Sequence, residues 1–175
     1  RALELTNGGS AEVLLGMGDI ALQRGDPQAA ADQYAAALRI NGRLVGAHIG
    51  LGRAAGAQGN WAVAQARFRD ALADDQSAEA HLWMGEALIR QANPTAAIDE
   101  YVQALKLREN RYPEAYFGLA QAQLAAGRAD LAKDNLAIAE TILGLRAAVV
   151  RTFFEAHDRA PEKNSAQPSG GTTGG

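Results

Sequence analysis

Residues 78–108, AEAHLWMGEALIRQANPTAAIDEYVQALKLR, decide the fold, because the same skeleton recurs along most of the chain. Gly85 has counterparts at Gly18, Gly52 and Ala120, Ala97 at Ala30, Ala64 and Ala132, and Ala104 at Ala37, Ala71 and Ala139. Each series steps by 34, 33 and 35 residues. A fourth series, Tyr34, Phe68, Tyr101 and Leu136, keeps the same steps and places a large apolar residue four positions after the first small one. Four series in one register define a repeat.

Between these landmarks each unit reads as two short amphipathic helices joined at residues 24–26, 58–60, 92–94 and 127–129. Gly25, Gly59, Asn93-Pro94 and Gly127 supply the stop signals there. Small residues stand where two helices approach closely, and large ones fill the space that remains. Such a hairpin cannot bury its apolar faces alone, so stacked neighbours complete the core.

The pattern resembles the tetratricopeptide repeat family, with its Trp-x2-Leu-Gly-x2-Tyr, Ala-x3-Phe and closing Pro on a period of about 34 residues. The matching residues are His81, Met84, Gly85, Leu88, Ala97 and Tyr101 in the third unit, and Tyr116, Leu119, Ala120, Gln123, Ala132 and Leu136 in the fourth. The chain departs from the pattern at the Trp slot, which holds Leu14, His48, His81 and Tyr116, and at the Pro slot, which holds Gly42 and Glu109 in two units. The resemblance implies an all-α fold, a right-handed α-α superhelix of helical hairpins.

The repeats are expected at residues 11–44, 45–77, 78–112 and 113–140. Residues 1–10 read as the remnant of a preceding repeat and a loop, since Ala2-Leu3-Glu4-Leu5 matches Ala37-Leu38-Arg39-Ile40 and Ser10 suits a helix cap. Residues 141–160 read as a C-terminal capping helix with Leu145, Val149, Val150, Phe153 and Phe154 on its apolar side, and residues 161–175 as a disordered tail. In the first repeat Leu14, Met17, Gly18 and Ala21 form the expected packing stripe. The second repeat carries Gly46, Gly50, Gly52, Gly56 and Gly59, which predicts either tight helix packing or a wall left open to a ligand.

The chain has 175 residues, a formal charge of −3 and no cysteine. Disulfides and thiolate zinc sites are excluded, and the charge favours neither nucleic acid nor an anionic membrane as partner. No apolar run is long enough for a membrane span. There is no phosphate loop, no His-Glu-x-x-His and no serine elbow, so neither a cofactor nor catalysis is expected. His48 and His81 occupy one slot of adjacent repeats, but packed helices lie roughly 8 to 10 Å apart, too far to share an ion, and no third ligand recurs. The Ala, Gly, Arg and Gln bias looks bacterial and does not select between periplasm, envelope and cytoplasm.

The resemblance also implies that successive first helices line a concave face where partners bind. Mapped onto this sequence, that face holds an apolar row, Leu15, Ile49, Leu82 and Phe117, beside a polar row, Asp19, Arg53, Glu86 and Gln121. Trp83, whose counterparts are Gly16, Gly50 and Gly118, and Arg90 complete the candidate site. The lysines and asparagines that clamp chaperone carboxylate tails in this family are missing: the corresponding slots hold Leu15, Asp19, Gly50, Glu79 and Trp83. The expected function is a non-enzymatic scaffold that holds a protein, peptide or helix in the groove during assembly of a complex. The alternatives are a substrate-recruiting or regulatory module of a larger enzyme, and a homo-oligomer formed through repeat ends.

Overall fold

The computed structural model describes the backbone of residues 2–143 and the side chains of residues 10–142. Among the described residues eight helices follow one another: α1 Ala2–Gln23, α2 Pro27–Ile40, α3 Val45–Ala57, α4 Trp61–Asp74, α5 Ala78–Arg90, α6 Pro94–Leu107, α7 Pro113–Ala125 and α8 Ala129–Leu143. No strand occurs among the described residues.

Each hairpin closes in the same way. The first helix ends in a Schellman turn, in which the third residue past the helix end donates back across the last turn: Asp26 to the Ala21 carbonyl, Asn60 to Ala55, Asn93 to Leu88 and Arg128 to Gln123, at 2.7–3.0 Å. The residue before it is left-handed, at Gly25, Gly59 and Gly127 with φ between 75° and 80°, and at Ala92 with φ 56°. Asp26 and Asn93 then accept hydrogen bonds from the amides of Ala29 and Ala96, and Pro27 and Pro94 sit in the first turn that follows, where a missing N–H costs nothing.

The sequence landmarks become the core. Ala30, Ala64, Ala97 and Ala132 are fully buried, as are Ala37, Ala71, Ala104 and Ala139, and the largest fully buried side chains are Tyr34, Phe68, Tyr101 and Leu136. These four are the landmark series of large residues, one on each second helix.

Neighbour relations fix the curvature. Every helix packs on the next one in the chain, and α1, α3, α5 and α7 also touch one another in sequence, whereas among the described residues no second helix approaches another. Elements that converge lie on the inside of a bend. The first helices therefore form the concave wall and the second helices the convex one.

Two expectations change. Residues 6–10 are not a loop, and Ser10 lies inside a helix rather than at its start, because α1 runs unbroken from Ala2 to Gln23. Extending an existing helix gains one backbone bond per residue without a new nucleus, so Gly8 and Gly9, at roughly 1 kcal/mol each, do not stop it. Met17 is 49% exposed rather than packed. Its counterparts Met84 and Leu119 are buried on helices that follow a second helix, and α1 follows none among the described residues. Of the two readings of the α3 glycines, tight packing fits Gly50, Gly52 and Gly56, where an added Cβ would strike the rings of Tyr34, Phe68 and Trp61, all under 3 Å. The expected capping helix, apart from its first residues 141–143, which belong to α8, and the expected tail lie outside the described residues.

Candidate functional site

The concave wall is built around a plug repeated between hairpins. Tyr34 rises from α2 between Gly18 of its own repeat and Gly50 of the next, and Tyr101 rises from α6 between Gly85 and Gly118; a Cβ at any of these glycines would lie 2.3–2.7 Å from the ring. The buried Tyr34 hydroxyl donates to Asp19 Oδ1 at 2.7 Å. Burial, this hydrogen bond and the Asp19 charge raise its pKa above the usual 10.0. Burial, then the Glu86 charge, does the same for Tyr101.

The junction between the second and third repeats is built differently. Its plug is Phe68, and Trp83 stands where the other junctions have Gly50 and Gly118. Trp83 therefore does not fill a gap between those glycines, which receive Tyr34 and Tyr101 instead. The substitution of residue types is reciprocal: Phe lacks the hydroxyl, and the groove residue in the Asp19 position is Arg53, which has no acceptor to offer one.

Trp83 divides the groove into two clefts. The first, about 420 Å³, is bounded by Gly52, Arg53, Gly56, Trp61, Trp83 and Arg90, with Glu86 at its edge. Arg53 lies 5.0 Å above the Trp83 ring and 4.0 Å from Asp19. Arg90 lies 5.5 Å from the Trp61 ring and bonds Glu86 at 2.7 Å. Guanidinium over indole is worth about 0.5–1 kcal/mol at exposed sites, which favours these two long side chains lying along the walls. The second cleft, about 300 Å³, lies between Leu82, Trp83, Phe117 and Gly118, with Glu86, Glu114 and Gln121 around it. Trp83 Nε1 is 3.4 Å from Glu79, just outside that cleft.

Of the sequence-predicted residues, Arg53, Leu82, Trp83, Glu86, Arg90, Phe117 and Gln121 line these two clefts. Leu15 and Asp19 stand further along the same wall, Leu15 against Gly46 and Asp19 under Tyr34. Ile49 is a correction: at 4% exposed it belongs to the buried core cluster and offers no surface. Sequence reasoning did not place Trp61 in the site, whereas its half-buried ring, which lies against Gly56 near the end of α3, is a cleft wall. His48 bonds the Gly42 carbonyl, and His81 bonds Glu100 at 2.7 Å. Among the described residues no group of three or more His, Cys, Asp or Glu could hold a metal, and no helix is long and apolar enough to cross a membrane.

A tetratricopeptide repeat family model matches residues 1–43, 49–111 and 84–134. The chain belongs to the tetratricopeptide repeat family. No curated relative matches it significantly. Among solved structures it is similar to TTC0263, a thermophilic TPR protein of Thermus thermophilus, at 22% identity over 84% of this chain and 80% of that one, with a TM-score of 0.74. It is similar to YrrB, described as a TPR protein with an unusual peptide-binding site, at 18% identity over 83% of this chain and 78% of that one, TM-score 0.62. It also matches an O-GlcNAc transferase mutant of Thermobaculum terrenum at 28% identity over 67% of this chain but only 22% of that one, TM-score 0.63. The TPR solenoid is generally a non-catalytic interaction module, and TPR proteins bind peptide or protein partners.

Proposed function

We propose that this chain is a non-enzymatic scaffold that holds a segment of a partner protein in its concave groove during assembly of a multiprotein complex. The observation that supports this reading is the pair of clefts on either side of Trp83, walled by aromatic and aliphatic side chains and unfilled by the chain's own described side chains. Leu82 and Phe117 supply apolar contact, and Arg53, Glu86, Arg90 and Gln121 supply direction and selectivity. Burying one large apolar side chain contributes about 1.5–3 kcal/mol, so a few such contacts support micromolar binding after association costs. The peptide-binding site named for YrrB is consistent with this use of the fold.

The test is affinity capture with the native chain and with a Leu82→Glu/Phe117→Glu variant, followed by mass spectrometry. A protein retained by the native form alone supports groove binding; equal capture by both forms moves the site elsewhere. A second reading, a substrate-recruiting module of a larger enzyme, draws on the match to part of an O-GlcNAc transferase. Capture of a protein that the same cells glycosylate or otherwise modify favours it. A third reading, self-association, draws on Val13, Met17 and Ile20, exposed along α1. Light scattering decides that: a concentration-independent monomer mass removes it.

A further inference from the structure

The two clefts share a wall and differ in charge. The first has two guanidiniums, Arg53 and Arg90, against the single carboxylate Glu86. The second has Glu86 and Glu114 and, among the described residues, no basic one, with Glu79 close by on the Trp83 indole N–H. Both guanidiniums lie along indole rings, at 5.0 and 5.5 Å from the ring centroids. Arg90 Nε donates to Glu86 Oε1 at 2.7 Å and keeps its terminal N–H groups for a further acceptor, and Arg53 stands 4.0 Å from Asp19, a loose ion pair. With Glu86 held by Arg90, the first cleft keeps Arg53 and the second keeps Glu114 and Glu79, so the groove turns more acidic across Trp83.

Resting on the groove-binding reading above, we propose that the occupant is a charge-polarised peptide segment of a partner protein. It carries two large apolar side chains, one for each cleft, with Asp or Glu beyond the one that enters the Arg53 and Arg90 cleft, and Lys or Arg beyond the one that enters the Leu82 and Phe117 cleft. Helices in contact lie roughly 8–10 Å apart, which sets the separation of the two anchors. In extended chain that is about three residues, at roughly 3.3 Å each. Polarity fixes the direction in which the segment lies, because the reverse orientation sets acid against Glu86 and Glu114 and base against Arg53 and Arg90.

The experiment is selection from a phage-displayed random peptide library on the full chain, with binding of the selected peptides measured by fluorescence anisotropy. The expected peptides carry two large apolar residues with acid outside one and base outside the other. Arg53→Glu/Arg90→Glu should weaken them at least about tenfold, and replacing the acidic residue of the peptide by Lys should restore binding to that variant. Arg53→Gln/Arg90→Gln and, at the other end, Glu114→Lys give the same test with less disturbance of the fold, and helical circular dichroism checks each variant. Peptides with an apolar pair but no charge order, or whose binding the charge variants leave unchanged, overturn the polarity and leave the groove reading standing. Peptides that bind Leu82→Glu/Phe117→Glu as well as the native chain, or a library that yields none, overturn both.

Discussion

Tyr34 occupies the space that any side chain at Gly50 would need: a Cβ on Gly50 would lie 2.5 Å from the ring, although the two residues belong to different repeats. The contact joins one hairpin to the next and brings the buried phenol to Asp19. The same relationship between Tyr101 and Gly118 makes it a construction rule of the solenoid.

Gly50→Ala and Gly118→Ala should each destabilise the array. Alanine gains up to about 1 kcal/mol of helix propensity, but overpacking against a fully buried ring costs about 1–3 kcal/mol. Gly16 holds the equivalent slot on α1 with nothing within 4 Å of an added Cβ. Gly16→Ala should therefore stabilise. Thermal melts of the three variants check the pair of signs.

Phe68 and Trp83 should be energetically coupled. Phe68→Tyr puts a hydroxyl beside Trp83, with Arg53 in the position where Tyr34 has Asp19, and Trp83→Gly removes a ring from the groove wall. The double variant restores the tyrosine-glycine pairing of the neighbouring junctions. A double-mutant cycle in denaturant should give a favourable coupling on the order of 0.5–3 kcal/mol, and additive effects would contradict the reciprocal arrangement.

Ala92 holds a left-handed conformation, φ 56°, at the turn where the other three repeats have glycine. That conformation costs a non-glycine residue roughly 1–2 kcal/mol, of which glycine's greater chain entropy takes back about 0.5–1 kcal/mol. Ala92→Gly should stabilise the protein by up to about 1.5 kcal/mol, read as a higher denaturant midpoint. A lower one would mean the turn is not strained.

Alkaline pH should unfold the chain. Tyr34, Tyr101 and Tyr112 all have pKa values raised above the ordinary 10.0, chiefly by burial. The folded state thus holds its phenols neutral more tightly than the unfolded state does. Their contribution is fully present below about pH 10 and is lost as pH rises through the raised folded values. Tyrosinate absorbance should appear together with the loss of helical circular dichroism; phenols that ionise well before the helices melt would contradict the burial.

Much of this was legible in the sequence because period and burial coincide in a repeat. The series Tyr34, Phe68, Tyr101 and Leu136 emerged from spacing alone, and the same residues are the largest fully buried side chains. Other features depend on what lies across a helix rather than along it. Ile49 shares a face with Leu82 and Phe117 by period, yet lies buried in the core cluster that Trp83 also packs against. The exchange of Tyr and Gly for Phe and Trp links residues of successive helices, and no local pattern displays it. Residues 6–10 have the composition of a turn, but helix propagation outweighs that preference.

Amide chemical-shift mapping by NMR, with a library-selected peptide added to the labelled chain, decides whether the wall formed by the first helices is the binding surface. The predicted perturbations concentrate on α3, α5 and α7, at and around Arg53, Leu82, Trp83, Glu86, Phe117 and Gln121. Perturbations confined to the second helices α2, α4 and α6, or to the exposed flank of α1 at Val13, Met17 and Ile20, would contradict binding at this wall.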